Sequence, residues 1–93
     1  MAEMGVVRCG SCGTRRGPFH LHHVLYRQEV RRNRGNQKDP ANLMPLCVPC
    51  HQDHHARKRP VPLERVPPEA VEFAVRLLGE DRAHVYLTRR YAA

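Results

Sequence analysis

The segment from Cys47 to His55, with the sequence CVPCHQDHH, carries two thiols and three imidazoles within nine residues. Thiolates and neutral imidazoles are the side chains that bind zinc and related cations best. If a helix begins in this segment, His51 and His55 stand at positions i and i+4, so both rings project from one face about one turn apart. We therefore predict two neighbouring metal positions, a closed one built by cysteines and an open one built by histidines.

The cysteines form two pairs with the same spacing, Cys9 with Cys12 and Cys47 with Cys50. Four thiolates from two such pairs complete the tetrahedral coordination of a structural Zn²⁺. Two disulfides are the alternative, and they are typical of small secreted domains. The residues before Cys9, MAEMGVVR, are too few and too polar for a secretion signal. We predict zinc, and we expect a reducing cytoplasm.

The size and charge of the chain restrict its function. With 93 residues it forms one small domain, which buries little apolar surface and gains stability from a bound metal. Sixteen Lys and Arg residues against nine Asp and Glu residues give a net charge of +7, which favours a polyanionic partner such as nucleic acid. A solvated basic surface without a partner is the alternative. No run of 18 apolar residues predicts a membrane span.

The elements that position these side chains start with a strand at Phe19 in the sequence FHLHHVLY. Its alternation places Phe19, Leu21 and His23 on one face, and His20, His22 and Val24 on the other. The adjacent residues His22 and His23 therefore point in opposite directions, which suits two different roles. A second short strand, residues 43–46, leads into Cys47, and the helix that follows is predicted to run from Val48 to Pro60.

The remaining segments are predicted from composition and helical periodicity. Residues 27–39 read as an exposed basic loop with a short helical turn at its start. Residues 60–68 hold four prolines and read as a semi-rigid linker. Two helices follow, the first with a core face of Val71, Ala74, Val75 and Leu78. The second spans residues 80–91, although residues 85–88 would also suit a strand. We thus predict a metal-stapled module (1–59), a linker (60–68) and a helical extension (69–93) that packs on the module or on a partner.

The motif order along residues 9–58 resembles the HNH endonuclease family. That order is a cysteine pair, His22-His23, Asn42-Leu43, a second cysteine pair and a histidine. In addition, the segment DPANLMPLCVPCH is similar to the family's Asn-Leu-x-x-Leu-Cys-x-x-Cys-His stretch. The resemblance implies an α+β protein with the small ββα-metal fold, in which two antiparallel strands and a helix hold one divalent cation. Here a four-cysteine zinc would staple that fold, and a helical extension would follow it.

The resemblance also implies roles for individual residues. It makes His22 the first ligand of a catalytic cation and His23 the general base that deprotonates the attacking water, with Asn42 bracing the loop and, through it, the base. His51 matches the last histidine of the motif, and His55 stands where many members have a further ligand. His54 is the alternative to His55. An imidazole with a pKa near ~6.5 is a competent base only when no cation occupies it, so adjacent histidines need separate roles.

The activity implied by the resemblance is metal-dependent hydrolysis of DNA to 5′-phosphate and 3′-hydroxyl ends, with Mg²⁺, Mn²⁺ or Ni²⁺ as the catalytic ion. Double-stranded DNA is the expected partner, and phage terminase subunits are a further one. Five basic residues are predicted to contact DNA phosphates, namely Arg27, Arg31, Arg32, Arg34 and Lys38. His20, His54 and His84 are interpreted as surface or loop histidines. Two other hypotheses remain, a non-catalytic zinc ribbon that binds nucleic acid and a single larger zinc cluster that includes the histidines.

Overall fold

Two antiparallel strands and one helix form the centre of the fold in the computed structural model, which describes residues 7–92. Strand β1 spans Phe19–His23 and strand β2 spans Leu43–Cys47. They pair with Phe19 opposite Cys47 and His23 opposite Leu43. Helix α2, Val48–His55, follows β2 directly and packs on both strands. This arrangement confirms the predicted α+β class and the ββα order.

Helix α2 is shorter than predicted. It ends at His55, and Ala56 is its C-cap, whereas the sequence pattern extended the helix to Pro60. Arg57 has φ 60°, a left-handed conformation that cannot continue an α-helix. The backbone N–H groups of Lys58 and Arg59 instead donate to the backbone carbonyl of Asp53. The Asp53 carboxylate also lies 2.8 Å from Arg59 Nη2. The three residues from Arg57 to Arg59 therefore form a turn.

A short helix, α1 at Arg27–Arg32, lies between the two strands in the chain and begins the basic segment. Val30 is its one buried residue. The segment then turns through Arg34 at φ 62°, and Gly35 packs tightly against a residue of the C-terminal part. A Cβ atom on Gly35 would lie 2.8 Å from Leu77 Cδ1. The Gly35 backbone can approach Leu77 this closely because glycine has no side chain.

The C-terminal part is a helical hairpin. Helix α3 spans Pro68–Leu78 and helix α4 spans Glu80–Arg90, joined at Gly79 with φ 87°. The two predicted helices are confirmed, and the strand alternative for residues 85–88 is wrong. The buried face of α3 comprises Ala70, Phe73, Ala74 and Leu78. Val75, predicted to be in that face, is 36% exposed, whereas Phe73, which was not predicted there, is 6% exposed.

One hydrophobic core unites the two parts of the chain. Val24, Leu25, Leu46, Val61 and Ala74 are all fully buried in it. The proline-rich segment contributes Val61 and forms a short 3₁₀ helix at Leu63–Arg65, and Pro62 pairs with Ala92. The division into module, linker and extension remains a prediction about independent folding. Within residues 7–92, no helix has the length and apolar character to cross a membrane.

Candidate metal centres and active site

The four cysteine side chains converge although their two pairs are far apart in sequence. All four Sγ atoms lie within 4.8 Å of one another, and Cys12 Sγ is 3.8 Å from Cys47 Sγ. A tetrahedral zinc site with Zn–S bonds of about 2.3 Å has sulfur-to-sulfur edges of about 3.8 Å. A disulfide would need an S–S distance of about 2.05 Å, and all four cysteines are free. The donor set fits Zn²⁺, as predicted from the spacing.

The electrostatics of this cluster also suit a cation. The backbone N–H groups of Ser11 and Cys12 each donate to Cys9 Sγ at 3.4 Å. Burial alone would raise the pKa of Cys9, but these backbone hydrogen bonds lower the pKa to about 6. Burial raises the pKa of Cys50 to about 12 and also raises the pKa of Cys47. Among the cysteines with a shifted pKa, Cys9 is the one whose surroundings favour the thiolate, the form in which a cysteine binds a cation.

Three histidines form a second group beside the cysteines. His22 comes from β1, while His51 and His55 come from one face of α2, and their ligand nitrogens all lie within 4.8 Å of one another. The Nε2 atoms of His51 and His55 are 3.0 Å apart. Strand alternation turns His22 toward α2, and the i,i+4 spacing aligns the two helical rings. The structure therefore brings together the three imidazoles that the sequence pattern selected.

The surroundings of His22 and His51 favour the neutral form of each ring. Burial, together with the charges of the neighbouring histidines His54, His51, His55 and His23, lowers the pKa of His22 to about 3. Burial also lowers the pKa of His51. Neutral imidazoles present lone pairs to a cation without first losing a proton. Three such nitrogen donors are the number typical of catalytic metal sites, which leave coordination positions open.

The ring of His23 points to the opposite face of β1, away from this group. It lines a surface cavity of about 570 Å³ together with Arg27, Gly35 and Lys38. His23 Nδ1 is buried and has no hydrogen-bond partner among residues 7–92. Burial, followed by the charge of Arg27, lowers the pKa of His23, so this ring is also neutral. The two adjacent histidines thus face different surroundings, as the strand pattern predicted, and the role of His23 as a base remains a proposal.

Asn42 fastens the backbone just beyond β1. Its side chain is fully buried, its Oδ1 accepts from Leu25 N–H at 2.8 Å, and its Nδ2 donates to the Leu25 carbonyl at 2.9 Å. The Asn42 carbonyl also accepts from Val24 N–H at 2.8 Å. Asn42 therefore fixes the chain directly after His22 and His23, and its role in bracing the base remains a proposal.

The substitution Asn42→Asp is expected to destabilise the fold. Aspartate keeps the acceptor for Leu25 N–H but leaves the Leu25 carbonyl without a donor, which costs about 1–3 kcal/mol, and it adds a buried charge. The midpoint of urea unfolding should fall clearly below the wild-type value. Asn36→Asp is the matched control, because within the described part of the chain the exposed Asn36 side chain makes one hydrogen bond, in which its Oδ1 accepts from Lys38 N–H. Equal midpoints for the two variants would contradict the bracing role.

Comparison with known proteins places the same segment in one family. A family model described as HNH endonuclease matches residues 7–57, more than half of the chain. The chain belongs to the HNH endonuclease family. The HNH match contains both cysteine pairs, both strands and α2, and it confirms the resemblance seen in the motifs. Neither the curated proteins nor the solved structures gave a match. Helices α3 and α4 lie outside the HNH match.

The five predicted phosphate-contacting residues are all exposed, and two of them lie beside His23. Arg27, Arg31 and Arg32 are exposed on α1, and Arg34 and Lys38 are exposed in the segment after it. Two of the five, Arg27 and Lys38, line the His23 cavity. Arg32 lies 3.4 Å from the carboxylate of Glu29, which offsets part of its charge. The positive charges of Arg27 and Lys38 therefore lie beside His23.

Three aromatic residues near the HNH histidines, namely His20, His54 and Tyr91, make contacts that were not predicted from the sequence. His54, predicted to lie at the surface, is buried, and its Nδ1 accepts from Val61 N–H at 3.0 Å. His20 is exposed as predicted, yet its Nδ1 lies 2.9 Å from His51 Nδ1. The alternation of β1 already placed His20 beside His22. Tyr91 hydrogen-bonds His22 from the far end of the chain, for which no local sequence pattern exists.

Proposed function

We propose that this protein is a metal-dependent endonuclease that hydrolyses double-stranded DNA to 5′-phosphate and 3′-hydroxyl ends. The observation that carries the proposal is the convergence of the imidazoles of His22, His51 and His55 beside the four-cysteine cluster. A zinc-binding module that only binds nucleic acid needs the cysteines and a basic surface. It has no use for a second group of three imidazoles.

The two clusters have different roles in this proposal. The four cysteines hold a structural Zn²⁺ that fixes the ends of β2 and α2. His22, His51 and His55 hold one divalent cation, Mg²⁺, Mn²⁺ or Ni²⁺, which when bound supplies positive charge that offsets the charge developing on the scissile phosphate. His22, on the buried side of β1, and the two helical rings orient this ion relative to the strand.

His23 accepts the proton of the attacking water. Its lowered pKa keeps the ring neutral, which is the form that a base needs, and the imidazole remains outside the group that holds the ion. We place the scissile phosphate at the end of β1, where His22 directs its ring to one face of the strand and His23 directs its ring to the other. Asn42 serves as a positioning residue, since it fixes the backbone that follows His23.

The basic segment holds the DNA backbone. Arg27, Arg31, Arg34 and Lys38 are exposed, and Arg27 and Lys38 border the cavity that His23 lines. Contacts from such side chains go to phosphates, which supply affinity and register but little sequence information. The affinity is therefore expected to fall with rising salt, since each contact releases condensed counterions.

Cleavage of a supercoiled plasmid tests the proposed function. The zinc-loaded protein should convert the plasmid to nicked or linear DNA when Mg²⁺, Mn²⁺ or Ni²⁺ is added, and should leave it supercoiled when no further cation is supplied. DNA ligase should reseal the nicks without prior end repair, because ligation requires a 5′-phosphate and a 3′-hydroxyl. A plasmid that is bound but stays intact with every cation would favour the non-catalytic zinc ribbon.

A further inference from the structure

We propose that Tyr91 is a positioning residue that holds His22 in a single tautomer, with its Nδ1 lone pair free for the catalytic cation. This inference rests on the proposed metal-binding role of His22. Tyr91 follows α4 and lies outside the segment that matches the family. The inference therefore gives the C-terminal part of the chain a role in the site.

The positions of the hydrogen atoms follow from the partners of the Tyr91 hydroxyl. This oxygen lies 2.9 Å from the Val24 carbonyl and 2.8 Å from His22 Nε2. A carbonyl oxygen can only accept, so the single hydroxyl proton goes to Val24. The hydroxyl then has only lone pairs to offer to His22, and Nε2 must carry the ring proton. The neutral ring therefore keeps its lone pair on Nδ1.

The burial of both groups makes this chain of hydrogen bonds decisive. His22 is 2% exposed and Tyr91 is 3% exposed, so water has little access to replace either partner. The other tautomer would place two acceptors, Nε2 and the hydroxyl oxygen, against each other, or would force the hydroxyl to abandon the Val24 carbonyl. A buried polar group without a partner is destabilising, so the Nε2–H tautomer prevails.

The position of Tyr91 is fixed by the backbone around it. Tyr91 N–H donates to Leu87, and Ala92 N–H donates to Val61, each at 2.9 Å. The Tyr91 ring also stacks on His54, with 4.9 Å between centroids and 30° between planes. The hydroxyl is thus held from several sides before any cation binds. Partners of this kind orient a ligating histidine and typically change metal affinity 10–100-fold when removed.

The tautomer of His22 can be measured without a catalytic cation. In ¹⁵N-labelled protein that carries one zinc per chain, the shifts of the two ring nitrogens should identify Nε2 as the protonated one. In Tyr91→Phe the ring should show a mixture of tautomers, because the acceptor for Nε2–H is lost. A wild-type ring protonated at Nδ1 would overturn the inference, and this measurement decides the matter even if the variant does not fold.

Calorimetric titration with Ni²⁺ gives a second measurement. Tyr91→Phe should bind Ni²⁺ 10–100-fold more weakly at the histidine group, with its zinc content unchanged. Tyr86→Phe is the matched control. Among residues 7–92 the Tyr86 hydroxyl accepts only from Tyr26 N–H, at 2.9 Å, so this variant should bind Ni²⁺ as the wild type does. Wild-type affinity and tautomer in Tyr91→Phe would contradict the inference. An uncut plasmid together with the expected tautomer would contradict only the proposed nuclease activity.

Discussion

The substitution His23→Ala is expected to lower the rate of DNA cleavage by a factor of ~10²–10⁴, which is the usual contribution of a positioned acid or base. The zinc content, the fold and the affinity for DNA should stay near the wild-type values. The physical reason for this separation is that His23 Nδ1 makes no hydrogen bond within residues 7–92, so alanine removes no partner from the structure. Single-turnover cleavage of a plasmid, with Tm and zinc content measured in parallel, provides the test.

The matched control is His84→Ala, since His84 is exposed on α4, distant in sequence from the motif. It should cleave at the wild-type rate. A His23→Ala variant that cleaves as fast as the His84→Ala variant would remove His23 from the chemistry. The His23 ring lies on the face of β1 opposite the three-imidazole group. Its role as a base therefore depends on where the phosphate binds, and the cleavage rate of His23→Ala tests that role.

The substitution Cys47→Ala is expected to unfold the protein. Cys47 is at once the last residue of β2, the N-cap of α2 and one of the four clustered sulfurs. In small zinc-binding peptides the metal contributes about 10–16 kcal/mol of folding free energy, which exceeds the total stability of most domains of this size. The variant should therefore lose its bound zinc and its helical circular dichroism together.

Ser11→Ala is a suitable control for this prediction. Ser11 lies in the other cysteine pair and contributes its backbone N–H, not its hydroxyl, to Cys9 Sγ. The control should keep one zinc per chain and melt near the wild-type temperature. A Cys47→Ala protein that retains zinc and melts like this control would mean that the four sulfurs do not build the scaffold.

Local patterns in the sequence predicted those parts of the site that lie within one element. The cysteine spacing, the i,i+4 relation of His51 and His55 and the alternation of β1 each fix geometry over a few residues. The directions of His22 and His23 followed from that alternation alone. The order of two strands and a helix also followed from local patterns, the antiparallel pairing of the strands followed from the family resemblance, and the structure confirms both.

Contacts between distant segments could not be predicted in this way. Nothing near Tyr91 in the sequence indicates that its hydroxyl reaches His22, because the contact depends on how α4 packs on the ββα core. His54 looked solvent-exposed because its neighbours are polar, yet Val61 N–H and the Tyr91 ring cover it. The end of α2 depended on the left-handed conformation of Arg57, which helix propensity does not indicate.

The close approach of Gly35 to Leu77 and the hydrogen bond from His22 to Tyr91 have a consequence for protein engineering. A graft of residues 7–57 into another scaffold would transfer every sulfur and imidazole donor. It would leave behind the leucine that supports the basic segment and the hydroxyl that orients one ring. The smallest transplantable cassette is therefore longer than the recognisable motif and has to extend at least to Tyr91.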